Sequence, residues 1–377
     1  MDPGSRIQRI ETFAVRFPLA APLQIGPMRI VHRDYAVLRV TTGGGVRGHA
    51  YCLSRSAPVD LMITDVLAPI ALGSPAADID GLRRRWTDAT ITLGHDGILA
   101  RAVSMMDVAL WDIRAQSASV PLWRLLGEAR TEAEVLLVEG YPRVGEDAAA
   151  FAARLRARAD QGAMWHKVAS LPDGDELTRR LQLSRAALGP DARLIVDIAW
   201  TWNDTAAAIA LAGRWADLGL AWIEDPLPVA DLEGFASLHA GIRTPLGAGD
   251  ESSRIDELGA LVDSGSIDVA RFDMMTMGGV TGFQQLAERL DPSTPISSHI
   301  YPEINRHLAF AFEQSGAVEW YGDSAEFDMS ARFAHLTDGE LTVARCTAPE
   351  APGVGLDFDW AAIEAAAYRA TDREATS

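Results

Sequence analysis

The sequence predicts an α/β protein built around a (β/α)8-type barrel, and three observations predict it. Between residues 135 and 320, eight short apolar runs alternate strictly with Ala- and Leu-rich helical stretches, which favours a closed barrel over an open doubly wound sheet. Three of the runs end in a carboxylate at an even stride: Asp197 in LIVDIAW, Glu224 in AWIEDPLP and Asp250 in PLGAGDES, 27 and then 26 residues apart. At 377 residues the chain also has room for a second, smaller domain, since a barrel alone takes about 250.

The opening segment reads as an antiparallel meander. Residues 6–17, 35–40 and 46–53 show β-branched and aromatic alternation, with Gly43-Gly44-Gly45 as the turn before the third run. Between the first two lies a Pro/Gly-marked stretch, 18–34, that includes Leu23, Ile25 and Met28. It is expected to be a loop, and loops of that length in compact domains often serve function. Helical periodicity begins near Val59. It is clearest over 97–117, where Ile98, Ala102, Met105, Met106, Ala109, Leu110 and Ile113 share one face. Gly127 closes the next helix. Barrel strands are expected at 135–138, 165–169, 194–198, 221–224, 246–250, 269–273, 296–298 and 317–320. The tail carries Pro349, Pro352 and Gly355 and then a helical stretch, 360–370. The expected division is therefore an opening domain at 1–128, a barrel at 129–335 and a returning tail at 336–377.

Composition narrows the function. A formal charge of −18 argues against nucleic acid and anionic membranes as partners and leaves small molecules. Cys52 and Cys346 give no disulfide framework, so a reducing cytoplasm is expected. The segment MDPGSRIQRIE lacks a signal peptide's apolar core, and no run of about 18 apolar residues exists to span a bilayer.

In a barrel, residues that end neighbouring strands lie side by side, and reactive groups collect there. Asp197, Glu224 and Asp250 should thus converge. Two carboxylates about 4 Å apart repel by on the order of 4 kcal/mol at an effective dielectric near 20, so the three need a cation or shared protons. Oxygen ligands with room for water and substrate suit Mg²⁺, one ion per subunit. Asp273 and His299 end the next two strands, again 26 residues apart. An Asp beside a His orients the imidazole as a general base. By strand alternation Lys167 shares a face with Trp165 and Ala169 and points toward the same rim. Such a set suits abstraction of a proton α to a carboxylate, with an enolate whose charge the cation and Lys167 balance.

These residues, together with VRGHAY, MMDVALWDIRA, WIEDP, FDMMTMGGVTG, SSHIYPE and PGVGL spread along nearly the whole chain, resemble the enolase superfamily and its mandelate racemase subgroup. The superfamily's use of a Lys or His base with Mg²⁺-stabilised enolates is a standard case. The resemblance implies a modified (β/α)8 TIM-type barrel, (β/α)7β, with an α+β capping domain formed by the N-terminal region and the C-terminal tail. It implies Asp197, Glu224 and Asp250 as metal ligands, Asp273–His299 as the acid/base dyad, and Lys167 as one lysine of the family's Lys-x-Lys. Substrate contacts would come from Leu23, Ile25 and Met28, from Tyr51 and Ser54 in the 51–56 turn, and from Glu319 or Asp323 near the end of the eighth strand. Homo-oligomerisation is also implied.

The departures from the pattern bear on the reaction. Trp165 and Ala169 flank Lys167, so one lysine of the pair is missing, and register decides which. Ala199 stands where an Asn is commoner. A racemase must serve both faces of one carbon, whereas one dyad suffices to eliminate water, so a hydroxy-acid or acid-sugar dehydratase is favoured. The alternatives are a racemase or epimerase with Lys167 as second base, and a non-catalytic metal-binding homologue. Taken singly, each acid would more often be a helix N-cap and His299 a hydrogen-bonded core residue. His32, Arg33 and Arg55 read as surface groups, and His49, His95, His166, His239 and His307 as structural ones.

Overall fold

The computed structural model describes residues 3–25, 28–141, 143, 145–322 and 330–375. The chain opens with β1 (Ile7–Ile25), β2 (Met28–Thr42) and β3 (Arg47–Leu53), an antiparallel meander. The 21-residue helix α1 (Gly97–Ser117) packs on it, with Met105, Met106, Ala109 and Leu110 fully buried.

The described residues of 18–34 do not form the expected loop. They extend the β1–β2 ladder, pairing Pro18 with His32, Leu23 with Ile30 and Ile25 with Met28. The signals that suggested a loop, Pro18 and Pro22, fall where the ladder shifts register between Pro18 and Leu23, the kind of irregularity where a strand tolerates proline.

The barrel is parallel and runs through β4 (Glu132–Gly140), β5 (Trp165–Ala169), β6 (Arg193–Asp197), β7 (Leu220–Glu224), β8 (Leu246–Ala248), β9 (Val269–Phe272), β10 (Ile296–Ser298) and β11 (Val318–Trp320). From β4 to β10 each strand pairs with the next, and β11 pairs with β4; a bridge between Ile296 and Ser315 brings the edges at β10 and β11 nearly to closure. Helices follow the strands, among them α2 (Gly174–Leu188), α3 (Thr205–Gly213) and α4 (Leu232–Gly241). Their N-caps are Asp173, Asp204 and Asp231, whose carboxylates accept first-turn amides. The capping role is thus filled by other acids, which leaves the strand-end carboxylates of β6 and β7 free of it.

The tail departs from expectation at its end. The helix over Trp360–Ala366 stops, and Ala367–Glu374 becomes β12, antiparallel to β1 from Arg9–Glu374 to Val15–Ala367. Ala-rich helix propensity yields here to tertiary pairing. Cys52 and Cys346 are buried, unpaired thiols. No helix among the described residues is long and apolar enough to cross a membrane.

Two buried histidines make stability depend on pH. His307 Nδ1 accepts from the Trp123 amide at 3.2 Å while Nε2 donates to the Val354 carbonyl at 2.9 Å, an arrangement that holds the neutral ring. Burial, with the nearby Arg306 charge, lowers His307 to about 3, and burial lowers His166 to about 4. The unfolded chain binds these protons below its ordinary value near 6.5, and the native state does not. The contribution of each histidine to stability should therefore fall as pH drops from about 6.5 toward 4, by on the order of 3 kcal/mol per residue. Urea midpoints across that window for the wild type and for His307→Gln check this; two profiles of the same shape reject it.

Candidate active site

Register sets the site. Asp197 pairs with Glu224 across β6–β7, Glu224 pairs with Gly247 of β8, and Asp250 follows just past that strand. The Lys167 ammonium lies among their carboxylates. Its Nζ is 3.3 Å from Asp197 Oδ2 and 3.4 Å from Asp250 Oδ2, and it pairs with Glu224 Oε1. Glu319 of β11 joins at 3.4 Å. The expected convergence of Asp197, Glu224, Asp250 and Lys167 is present.

The dyad geometry is also present. His299 Nδ1 is 2.9 Å from Asp273 Oδ2, and Asp273 Oδ1 accepts from the Met275 amide at 2.8 Å. The other ring nitrogen, Nε2, faces Asp250 at 3.8 Å. Burial opposes charge on the imidazole, but Asp250 and the hydrogen bond with Asp273 outweigh it and push His299 up to about 9.

Further residues shape the site, among them Arg271, Asp225 and Glu251, which were not singled out from sequence. Arg271 is fully buried, 3.1 Å from Glu224, 2.9 Å from Asp250 and 2.5 Å from Glu319. Alternation could have found it, since it stands two residues before Asp273 on the inward face. Asp225 accepts from the Gly249 and Asp250 amides at 2.8 and 3.2 Å, so it braces the backbone behind Asp250. Glu251 pairs with both Arg55 and Arg101, an ion cluster joining the first domain to the barrel. Arg33 and Arg55 are not the surface groups expected: Arg33 is 2% exposed, and Arg55 lines the cavity beside Lys167 and His299.

Ile25, Met28 and Glu319 also line that cavity. Leu23 is buried in the hairpin and, with Tyr51 and Ser54, is not part of the lining. Tyr51 donates to Glu303 at 2.7 Å and packs against Tyr301 and Phe333. Ser54 is buried under the turn. Asp323 lies outside the described residues. Backbone strain gathers at the same rim: Ala199, Trp200, Asp225, Glu251, Ile300 and Tyr301 all have positive φ without being glycine, a pattern typical of functional sites. The Ala199 amide donates to Asp197 Oδ1 at 2.9 Å.

The donor set fits a hard cation. Asp197, Glu224, Asp250 and Glu319 face Lys167 and Arg271, four acids against two fixed positive charges. Glu224 Oε1 is buried and accepts no hydrogen bond, meeting only the Lys167 charge. Burial, only partly offset by Arg271 and Lys167, raises Glu224 to about 8. Asp250 is held well below the carboxylate range: burial opposes this, but Arg271 and His299 outweigh it. A divalent ion of the Mg²⁺ kind supplies the missing charge with all-oxygen ligands.

Comparison with known proteins agrees with this arrangement. Residues 7–127 match the mandelate racemase / muconate lactonizing enzyme N-terminal domain, and residues 148–362 match the enolase C-terminal domain-like family. An L-talarate/galactarate dehydratase of Salmonella typhimurium is 27% identical over 82% of this chain and 80% of its own length. A 3,6-anhydro-alpha-L-galactonate cycloisomerase of Streptomyces coelicolor is 26% identical over 94% and 97%. Among solved structures, a mandelate racemase/muconate lactonizing enzyme from Polaromonas sp. JS666 is 25% identical and superposes with a TM-score of 0.87 over 100% of both chains. An L-talarate dehydratase from the same source, complexed with Mg and L-glucarate, has the same fold, with a TM-score of 0.86 at 24% identity over 98% of this chain and 100% of its own. With both halves of the chain matched and the acids converging on one rim, the chain belongs to the mandelate racemase/muconate lactonizing enzyme family of the enolase superfamily.

Proposed function

We propose that this chain is a Mg²⁺-dependent acid-sugar dehydratase, a hydro-lyase in which His299 is the acid/base. The observation that carries the reading is the hydrogen bond that orients His299 from Asp273 while its other nitrogen faces Asp250. Asp197, Glu224 and Asp250 would hold the ion. Bound there, it would polarise the substrate carboxylate and lower the barrier to removing the adjacent proton. His299 takes that proton through Nε2, since Nδ1 is committed to Asp273. As imidazolium it then returns the proton to the departing β-hydroxyl. The enolate's charge is balanced by Lys167, whose ammonium stands between Asp250 and Glu319.

Register favours elimination over racemisation. Ala169 pairs with Asp197 at the rim, so the residue best placed to act as an opposite-face base carries no side chain that could do so. Trp165, the other candidate position, donates its indole N–H to Glu134 at 2.7 Å, near the opposite end of β4. These placements support Lys167 as the lysine that would contact the substrate carboxylate. Relatives named as talarate/galactarate, mannonate and arabinonate dehydratases support the reaction class. The unpaired cysteines support a cytoplasmic location, and the family likeness supports a homo-oligomer.

Incubating the Mg²⁺-loaded protein with an acid-sugar library in D₂O tests the reading. A 2-keto-3-deoxy acid should accumulate, and substrate recovered part-way should keep its configuration. Deuterated substrate of inverted configuration, with no keto product, rejects elimination.

A further inference from the structure

The three carboxylates at the rim are not free to turn. Each offers a single oxygen to the Lys167 ammonium and has the other committed to a donor of this chain. Asp197 accepts the Ala199 amide at Oδ1, 2.9 Å away, and presents Oδ2 to Lys167 at 3.3 Å. Glu224 Oε2 accepts the Trp222 indole N–H at 2.9 Å, and Arg271 Nε is 3.1 Å from the same atom. Its Oε1 takes no hydrogen bond among the described residues and meets Lys167. Asp250 is gripped by the Arg271 fork, Nε to Oδ1 at 2.9 Å and Nη2 to Oδ2 at 3.1 Å, and only Oδ2 also faces Lys167, at 3.4 Å.

Arg271 can hold this grip because it is itself fixed. It lies fully buried inside the barrel, where branched apolar side chains ordinarily pack. There it pairs with Glu319 at 2.5 Å and donates from Nη1 to Ser297 at 2.5 Å. A guanidinium with all three nitrogens engaged is a rigid planar fork, which an ammonium cannot copy. Trp222 is buried and packs on Trp165 with ring centroids 5.6 Å apart, so its N–H is held in place too.

The number of oxygens each carboxylate can give decides between hard cations. Ca²⁺ takes about six to eight oxygens and readily accepts both from one carboxylate, whereas Mg²⁺ keeps a tight octahedron of single oxygens and water. Three carboxylates limited to one oxygen each supply too few for the first and suit the second. We infer that Arg271 and Trp222 are positioning residues that make the site select Mg²⁺ over Ca²⁺, by holding Glu224 and Asp250 to one ligand oxygen apiece. The inference rests on the reading of Asp197, Glu224 and Asp250 as the ion's ligands, and not on which reaction follows.

Calorimetric titration of the metal-free whole chain with Mg²⁺ and with Ca²⁺ reads the preference without turnover. The wild type should bind Mg²⁺ more tightly. Arg271→Met and Arg271→Lys should each move the affinity ratio toward Ca²⁺ by roughly 10–100-fold, the usual effect of removing a group that orients a ligand. Trp222→Phe, which deletes one N–H and keeps a ring, should move it the same way and carries the test if the Arg271 variants do not fold. A merely structural role would lower stability and leave the ratio alone. An unchanged ratio in the folded variants, or a wild type that prefers Ca²⁺, overturns the inference. So does a ratio kept by Arg271→Lys and lost by Arg271→Met, which would make charge the cause and not the fork. Binding of neither ion overturns it together with the ligand assignment. A Mg²⁺ preference lost in the variants, with no keto product from the wild type, keeps the inference and rejects the dehydratase.

Discussion

His299→Asn should lower kcat by about 10²–10⁴-fold, the range of a single general acid/base, and leave Mg²⁺ affinity within a few-fold. Asn keeps a polar group beside Asp273 but supplies neither the base for the α-proton nor the acid for the hydroxyl. Both half-reactions should fail together, so exchange of the α-hydrogen with D₂O should vanish along with keto product. Asp273→Asn should give a smaller loss and shift the pH profile, because the ring keeps its place but loses its oriented tautomer. Steady-state rates and NMR of α-exchange decide. Turnover retained in His299→Asn would sink the assignment of His299 as the acid/base.

Lys167→Met should destabilise the metal-free protein by roughly 3–5 kcal/mol, the usual result of removing one partner from a buried ion cluster. The cluster of Asp197, Glu224, Asp250 and Glu319 would then keep only Arg271 and the His299 imidazole as positive neighbours. Added Mg²⁺ should recover most of that loss, since an ion that binds only the folded state stabilises it by mass action. Dehydration should remain at least 10²-fold down even when stability is restored, because the substrate carboxylate has lost its ammonium partner. Thermal melts with Mg²⁺ and with EDTA separate the effects. If Mg²⁺ raises Tm no more in the variant than in the wild type, Lys167 is not a counter-charge to the metal ligands.

The barrel was legible because its signals are local and repeated. Strands 165–169 and 296–298 stand where alternation placed them, and the stride from Asp197 to Asp250 follows from one β-α unit per step. The outer hairpin was not legible: Pro18 and Pro22 signal breaks, and only the pairing of Leu23 with Ile30 shows the ladder resuming. Residues 367–374 failed similarly, because their partner Val15 is some 350 positions away and leaves no mark in the local sequence. In the site, the acids and the histidine were found where they end a strand or follow it directly. Arg271 was hidden inside one, and Glu251 needed two arginines from another part of the chain before its role could be seen.

The pairing of β12 with β1 ties folding to synthesis. A ribosome delivering about 5–20 residues per second takes on the order of tens of seconds between β1 and β12. Through that interval Ile7–Val15 has β2 on one flank and an open edge on the other, the exposure that invites association between nascent chains. All the barrel strands have emerged before that edge is covered. Arg369 then reaches back to Asp60, so completion of the first-made sheet waits on a segment made near the end.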